Sequence, residues 1–394
     1  MSWDKTTLGK ISTSIQTGPF GSQLHQSDYS EDGIPVVMPK DLIGGKISTE
    51  SIARVSAEHV ERLSRHKIIP GDILYSRRGD VGRCAFSTER EKGWLCGTGC
   101  LRVTIDSRLA VPHFVFYQLQ TKKSIGWVEK HAVGATMLNL NTSILNNVPI
   151  VLPSLRTQQY IVDILSVYDA LIENNQKQIK LLEEAAQRLY KEWFIDLRFP
   201  GHENTPIVDG VPKGWEKKRL VDLADVQYGF AFDGSLFNSN RNGMPIVRIR
   251  NIPSGLTQDY TTETADNQYI VKNGEIVVGM DGKFHINSWG GDDAYLVQRT
   301  CCIRPKDKKM NGWLLWAIQD PIKFFEKTVV GATVAHLGKK HIDTITLFVA
   351  PNDSFYAPFF AFFNKRQTLL NQNCRLVYAR DRLLSKLIKK EIEV

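Results

Sequence analysis

VGATMLNLN, Val133–Asn141, opens with four residues that return at the start of VGATVAHLG, Val330–Gly338. A four-residue match in a chain of 394 arises easily by chance, so the neighbouring sequence decides what it means. Trp3-Asp4-Lys5 is answered by Trp215-Glu216-Lys217, 212 residues on. GIPVV, Gly33–Val37, is answered by GMPIV, Gly243–Val247, at 210, and PGDIL, Pro70–Leu74, by NGEIV, Asn273–Val277, at 203. TGCLR, Thr98–Arg102, is answered by TCCIR, Thr300–Arg304, at 202. VGAT recurs at 197, and LIENNQKQIKLL from Leu171 is answered by LLNQNCRLVYAR from Leu369, at 198. Six matches in one order, with a slowly drifting offset, describe a tandem duplication whose second copy has lost about 14 residues (212 against 198).

Each copy has two parts. The first reads as α+β. GIPVVMPKDL is a strand ending in a loop, IIPGDILYSRRG two short strands about a Pro-Gly-Asp turn, and CLRVTI another strand. PHFVFYQLQTKKSIGW and its counterpart GWLLWAIQDPIKFF carry aromatic and aliphatic residues at helical spacing. The second part is a long helix. Ile161, Leu165, Tyr168, Ile172, Asn175, Ile179, Leu182, Ala186, Leu189 and Trp193 recur at alternating steps of four and three, a sustained heptad with one Asn in its seam. The 33 residues from Ile161 to Trp193 span roughly 50 Å as a helix. The corresponding row in the second copy is Phe359, Phe363, Arg366, Leu370, Asn373, Val377, Arg380, Leu384, Leu387 and Glu391. Two arginines and a glutamate make that seam poorer, which points to the neighbouring row Leu369, Leu376, Leu383 as an alternative.

A long helix with one apolar stripe needs a partner, and the simplest is its own duplicate. The expected architecture is α+β, with two pseudo-repeated globular domains joined by two long helices in an antiparallel coiled coil, a dumbbell. Its expected parts are a first globule over 1–154, a helix over 155–199, a Pro/Gly-rich linker over 200–214, a second globule over 215–352 and a helix over 353–394. Two independent domains on flexible linkers is the competing arrangement.

The chain carries a formal charge of +8, 42% hydrophobic and 23% charged residues, so it can bury cores and leans toward a polyanionic partner. MSWDKTTLGK lacks the apolar core of a signal peptide, and no apolar run reaches the ~20 residues of a membrane span. Six cysteines form neither a CxxC pair nor a zinc-spaced set with histidine. A cytoplasmic protein with reduced thiols is expected. No Walker A loop, GxGxxG, HExxH, GxSxG or amino-group-holding Asn/Asp-Pro-Pro-aromatic stretch is present. Those absences argue against an enzyme acting alone.

Several loops have the composition of DNA contacts. SRRGDVGR sets Arg77, Arg78 and Arg83 about two glycines, directly after a strand, and GPFGSQLHQSDY offers Ser22, Gln23, His25 and Gln26. Lys40 follows the GIPVV strand. In the second copy RIRN carries Arg248, Arg250 and Asn251, and MDGKFH carries Lys283 and His285. The VGAT loops add Thr136, Asn139 and Asn141 in the first copy, and Thr333, His336, Lys339 and Lys340 in the second. Arginine suits guanine edges and phosphates, and amides and hydroxyls suit base edges or backbone. Any single residue here is equally an ordinary solvated side chain. The whole set, on matching loops with shared stems and divergent tips, suits two readers of different sequences.

TGPFGSQLHQSDY with GIPVVMPKDL, PGDILYSRRGDVGR, VGATMLNLN leading to VPIVLPSLRTQQYIVDIL, and VPKGWEKKRLVDLADVQYG together resemble the specificity (S) subunit of Type I restriction-modification enzymes, over nearly the whole chain. The resemblance implies two target recognition domains, each reading half of a bipartite double-stranded DNA site. It implies helices that bind two methyltransferase (M) subunits, placing Ile161, Leu165, Tyr168, Ile172, Ile179, Leu182, Leu189 and Trp193 on the spacer and partner-binding element, and it implies nuclease/translocase (R) subunits. No cofactor is expected on this chain; S-adenosylmethionine is expected on the methyltransferase. One departure stands out: LFVAPNDSFYAPFFAFF lacks the LRTQQ-type entry of the first copy. A spacer of roughly 50 Å exceeds one ~34 Å DNA turn and implies several unread base pairs. The rival readings are a stand-alone DNA-binding regulator and a DNA-modifying enzyme with an unrecognised site.

Overall fold

The computed structural model describes residues 3–134, 137–328 and 335–388. The chain divides into two compact units, Met1–Val167 with Arg380–Val394, and Tyr168–Ala379. Both long helices therefore contribute to both units.

In the first unit an antiparallel sheet has the order Ser12–Thr17, Cys100–Ile105, Ile73–Ser76, Cys84–Phe86. Along Cys100–Ile105 the even period of a strand turns Leu101, Val103 and Ile105 into the core and leaves Arg102 and Thr104 half-buried. A second sheet runs Leu95–Cys96, Ile34–Val37, Ala53–Val55, Tyr29–Ser30, with its first pair parallel. The second unit repeats the first sheet as Ala224–Tyr228, Thr300–Pro305, Ile276–Gly279, Ile286–Ser288. It also repeats the parallel pair, as Met244–Val247 with Ala294–Leu296.

The sheets correct one detail of the sequence match. Leu101 lies opposite Tyr75 and Thr17, whereas Cys301 lies opposite Val278 and Tyr228. The structural equivalent of Leu101 is thus Cys301, two residues away from the TGCLR/TCCIR alignment. A slip of two preserves which residues face the core. It also preserves the ion pair: Arg102 reaches Asp72 at 3.4 Å and Arg304 reaches Glu275 at 2.8 Å.

Other expectations are also refined. Of the two strands expected in IIPGDILYS, only Ile73–Ser76 forms, and Lys67 makes a single bridge to Leu95. PHFVFYQLQTKKSIGW is two helices, Pro112–Leu119 and Lys122–His131, because the Thr121 side chain accepts from Ser124 N and starts a new helix. The counterpart is likewise split, into Asn311–Ala317 and Gln319–Thr328. Residues 200–214 are folded: Ile207–Val208 pairs with Val211–Pro212 across Asp209-Gly210, both at positive φ, as a tight hairpin turn requires.

The first long helix is Leu155–Tyr190, extended by a π-helical turn at Lys191–Ile195, and the second is Ala357–Ile388. In the second unit Glu183 meets Arg366, Ile179 packs on Leu369 and Leu370, and Asn175 meets Asn373. One index rises as the other falls, so the helices pair antiparallel. Asn175 and Asn373, equivalent residues of the two copies, bond to each other at 3.0 Å. In the first unit Ile161, Val162 and Leu165 pack with Leu384, Leu387, Phe114 and Tyr117.

The second helix keeps the homologous row as its seam: Phe359, Phe363, Leu370, Asn373, Leu384 and Leu387 are buried. Of the alternative row only Leu369 is buried. Arg366 fits because all its hydrogen-bonding edges are used. Nε binds Glu183 at 2.7 Å, Nη1 binds Ser288 Oγ at 2.6 Å, and Nη2 binds Asn287 Oδ1. The seam residues assigned to a partner also need correction. Ile161, Leu165, Ile172 and Ile179 are buried within this chain, Leu182 packs beside Ile179, Leu189 and Trp193 pack on the second unit's core, and Tyr168 is half-buried. The chain's own helix pair consumes that face.

Candidate nucleic-acid interface

In the first unit SRRGDVGR leaves the end of Ile73–Ser76 and is locked to the VGAT loop. Leu140 N donates to Arg77 O at 2.8 Å, Gly79 N donates to Leu138 O at 3.0 Å, and Arg78 bridges Asn139. The VGAT loop closes on itself through paired bonds between Val133 and Asn139. Gly134 sits at φ +131, where a Cβ would lie 2.2 Å from Met137 O, so glycine is required there. Two more loops join this end. Gly18 N donates to Cys100 O at 2.9 Å as the GPFGSQ loop begins, and Arg83 Nη1 reaches Pro39 O in the Lys40 turn.

Within that cluster the side chains differ in freedom. Arg78, Ser22, His25 and Gln26 are exposed. Arg77 is half-buried; its Nε and Asn139 Oδ1 are buried with no hydrogen-bond partner among the described residues. Arg83 is drawn onto Asp80 by Nε at 2.9 Å and Nη2 at 2.8 Å, and so braces its own loop. Gln23 accepts from Phe20 N, Lys40 donates to Ser51 O at 2.7 Å, and Asn141 caps the short helix Thr142–Asn146 by accepting from Ile144 N. These three are committed to loop structure. Thr136 and Thr333 lie outside the described residues.

The second unit repeats the device. Gly282 N donates to Ala335 O at 3.0 Å, Leu337 N donates to Met280 O at 2.7 Å, and Asp281 bridges His336. Asp281 thus stands where Arg78 stands in the first unit, and His336 where Asn139 stands. The Asp281 carboxylate takes His336 Nδ1 at 2.5 Å and Arg299 Nη1. Burial opposes its ionisation, but those two hydrogen bonds outweigh burial and hold it below the usual carboxylate range. Lys283, Lys339 and Lys340 are exposed. His285 is half-buried, and burial, with Lys283 beside it, lowers its pKa.

The RIRN turn places Ile249 next to Gly279, at the end of the strand that leads into this loop. Arg248 lies over the Phe237 ring at 5.2 Å, within cation–π range. Asn251 is buried; it accepts from Arg248 N and donates to Asp259, which also takes Arg250 at 3.0 Å. Asn251 is therefore a positioning residue, a correction forced by its burial. Arg299 was not foreseen. In the equivalent place the first unit has Gly99, since Arg77 N donates to Gly99 O as Met280 N does to Arg299 O, each at 2.9 Å. Only the strand register reveals that exchange of glycine for arginine.

Among the described residues no group of three or more His, Cys, Asp and Glu is placed to hold a metal. Burial pushes the Cys84, Cys96 and Cys301 thiols up to about 12, far from thiolate chemistry. Among the described residues no helix is long and apolar enough to cross a membrane.

A family model described as the Type I restriction modification DNA specificity domain matches residues 2–184 and again 212–353. The specificity subunit of the Type I restriction enzyme MjaIX from Methanocaldococcus jannaschii is 31% identical over 255 residues, covering 62% of this chain and 58% of that protein. The EcoBI specificity subunit from Escherichia coli is 30% identical over 138 residues, 35% of this chain and 29% of that protein. The HindI specificity subunit from Haemophilus influenzae is 21% identical over 469 residues, 99% of both. The chain thus spans less than two thirds of the first two relatives. A solved S subunit of a Type I restriction-modification system from M. genitalium superposes with a TM-score of 0.53 at 16% identity, covering 98% of this chain and 96% of that one, a likeness of fold.

Proposed function

The chain belongs to the Type I restriction-modification DNA specificity family, and on that premise we propose that it is the sequence-reading subunit of a restriction-modification complex. Residues 1–154 and 215–352 each read one half of a bipartite duplex site. Two methyltransferase subunits dock on the long helices, bring S-adenosylmethionine and methylate adenine, and nuclease/translocase subunits join them. This chain supplies no catalytic group.

One observation carries the reading. Each unit locks a strand-end loop to its VGAT-type loop with the same backbone bonds, yet the tips differ: Arg78 with Asn139 in one, Asp281 with His336 in the other. A shared scaffold that carries different side chains at its two tips is what two readers of unlike half-sites need. The docking face left for the methyltransferases is the outer side of the first long helix, where Tyr160, Val167, Leu171 and Leu181 are exposed.

Mapping methylated adenine in host genomes with and without this gene tests the proposal. A single bipartite motif should be present in the first and absent in the second. A motif that survives deletion, or methylation by the purified chain alone, would refute it.

A further inference from the structure

We propose that Arg299 is a base-reading side chain of the second unit, oriented by Asp281 and His336 toward a G·C pair in the major groove. The proposal rests on the reading of this chain as a DNA specificity subunit and deepens it at one residue.

Arg299 combines three properties. Its backbone is left-handed at φ +67, a conformation that, among the described residues, only Leu197, Asp209 and Arg241 share outside glycine. Its side chain is 64% exposed, so core packing does not explain why an arginine rather than a glycine holds that conformation. Strained backbone at an exposed residue concentrates at ligand contacts. Its guanidinium is nonetheless fixed, because Nη1 is bound by Asp281, which is itself only 15% exposed and held from its other oxygen by His336 Nδ1. Arg299, His336, Gln298, Tyr228 and Thr300 line one open surface cavity.

The chemistry selects among nucleic-acid contacts. Arginine has five N–H donors in one plane, and holding one nitrogen on a carboxylate leaves the others aimed in a set direction. Guanine presents N7 and O6, the acceptor pair that a guanidinium fork meets bidentately. A phosphate needs no such orientation, and the Asp281 carboxylate beside the fork repels one. Asp281 and His336 are thus positioning residues. The first unit has Gly99 at this place, so its half-site does not share this contact.

The test is selection from random-sequence duplexes by the full chain in its native complex, for wild type, Arg299→Gly, Arg299→Lys and Asp281→Asn, with the melting temperature of each. Glycine fits the left-handed backbone, so Arg299→Gly removes the side chain without adding strain. Wild type should require G·C at one position of one half-site. Arg299→Gly should erase that requirement, weakening the cognate site about 5- to 150-fold, and Arg299→Lys, which lacks the planar fork, should weaken the cognate site, with the other half-site and the melting temperature unchanged. Asp281→Asn should relax the same single position. Uniform weakening of all sequences by Arg299→Gly, with a salt slope lower by about one, would make Arg299 a phosphate contact and overturn the proposal. Unchanged selection by both Arg299 variants would also overturn it. A wild-type complex that selects no sequence would instead sink the specificity reading itself.

Discussion

Arg77 and Arg78 are neighbours in sequence with different fates: Arg78 is exposed, whereas Arg77 is half-buried with an unpartnered Nε. Arg78→Ala should therefore change DNA binding, by relaxing one base position or lowering the salt slope by about one, and leave stability intact. Arg77→Ala keeps the backbone bonds that lock the two loops but removes a half-buried side chain beside them, and should weaken the whole half-site without changing its base preference. Filter binding at several salt concentrations against single-base variants separates the two; identical behaviour would contradict the geometry. Stability at mild acid depends on another buried group. His66 is buried and its pKa is lowered to about 4, chiefly by burial and then by Arg65 and Arg102. A depressed histidine takes up a proton in the unfolded chain before the folded one, so stability falls as pH drops from about 6.5 toward about 4 and flattens below. His66→Leu should shrink that slope in urea titrations; an unchanged slope would remove His66 as its cause. At this scale the sequence was only half legible. Loop composition picked out Arg78, His336 and Lys283, which are exposed, but Asn251 and Arg83 are occupied by carboxylates eight and three residues away by fold, not by pattern. Arg299 escaped notice because the signal is a register.

The long helices were the most legible elements, because a heptad repeated over ten positions leaves few alternatives. What composition could not show was how the second seam tolerates Arg366. The answer is a set of partners distant in sequence, Glu183, Asn287 and Ser288. The same helices separate folding from assembly. Ile179 is buried against Leu369 and Leu370, whereas Leu171 is 47% and Leu181 65% exposed. Ile179→Asp places a charge in the intramolecular seam and should lower the melting temperature by several degrees. Leu171→Asp and Leu181→Asp should leave melting unchanged but abolish co-purification with a methyltransferase. If the outer-face variants still bring down the partner, docking lies elsewhere.

At the scale of the whole molecule, the duplication is visible as one sheet order used twice, with separate cores for each copy. That predicts modular specificity. Replacing residues 1–150 by the first globule of another family member should change one half of the recognised site and leave the other half as it was. The exchange has a stated structural requirement. Phe114 and Tyr117 lie in the replaced segment and pack on Ile161, Leu165, Leu384 and Leu387, which remain. The donor must carry large apolar residues at those two positions, or the graft opens a cavity costing about 3–5 kcal/mol for each aromatic lost. Strand pairing sets a second condition, since Asp4–Thr7 and Pro149–Leu152 bond to each other and must come from one source. A graft ending at 150 divides Pro149–Leu152, so the donor segment should run through Leu152. With both conditions met, methylated-adenine mapping of the chimaera reads the outcome directly. A change confined to one half-site supports two independent readers; a change in both halves, or in neither, rejects them.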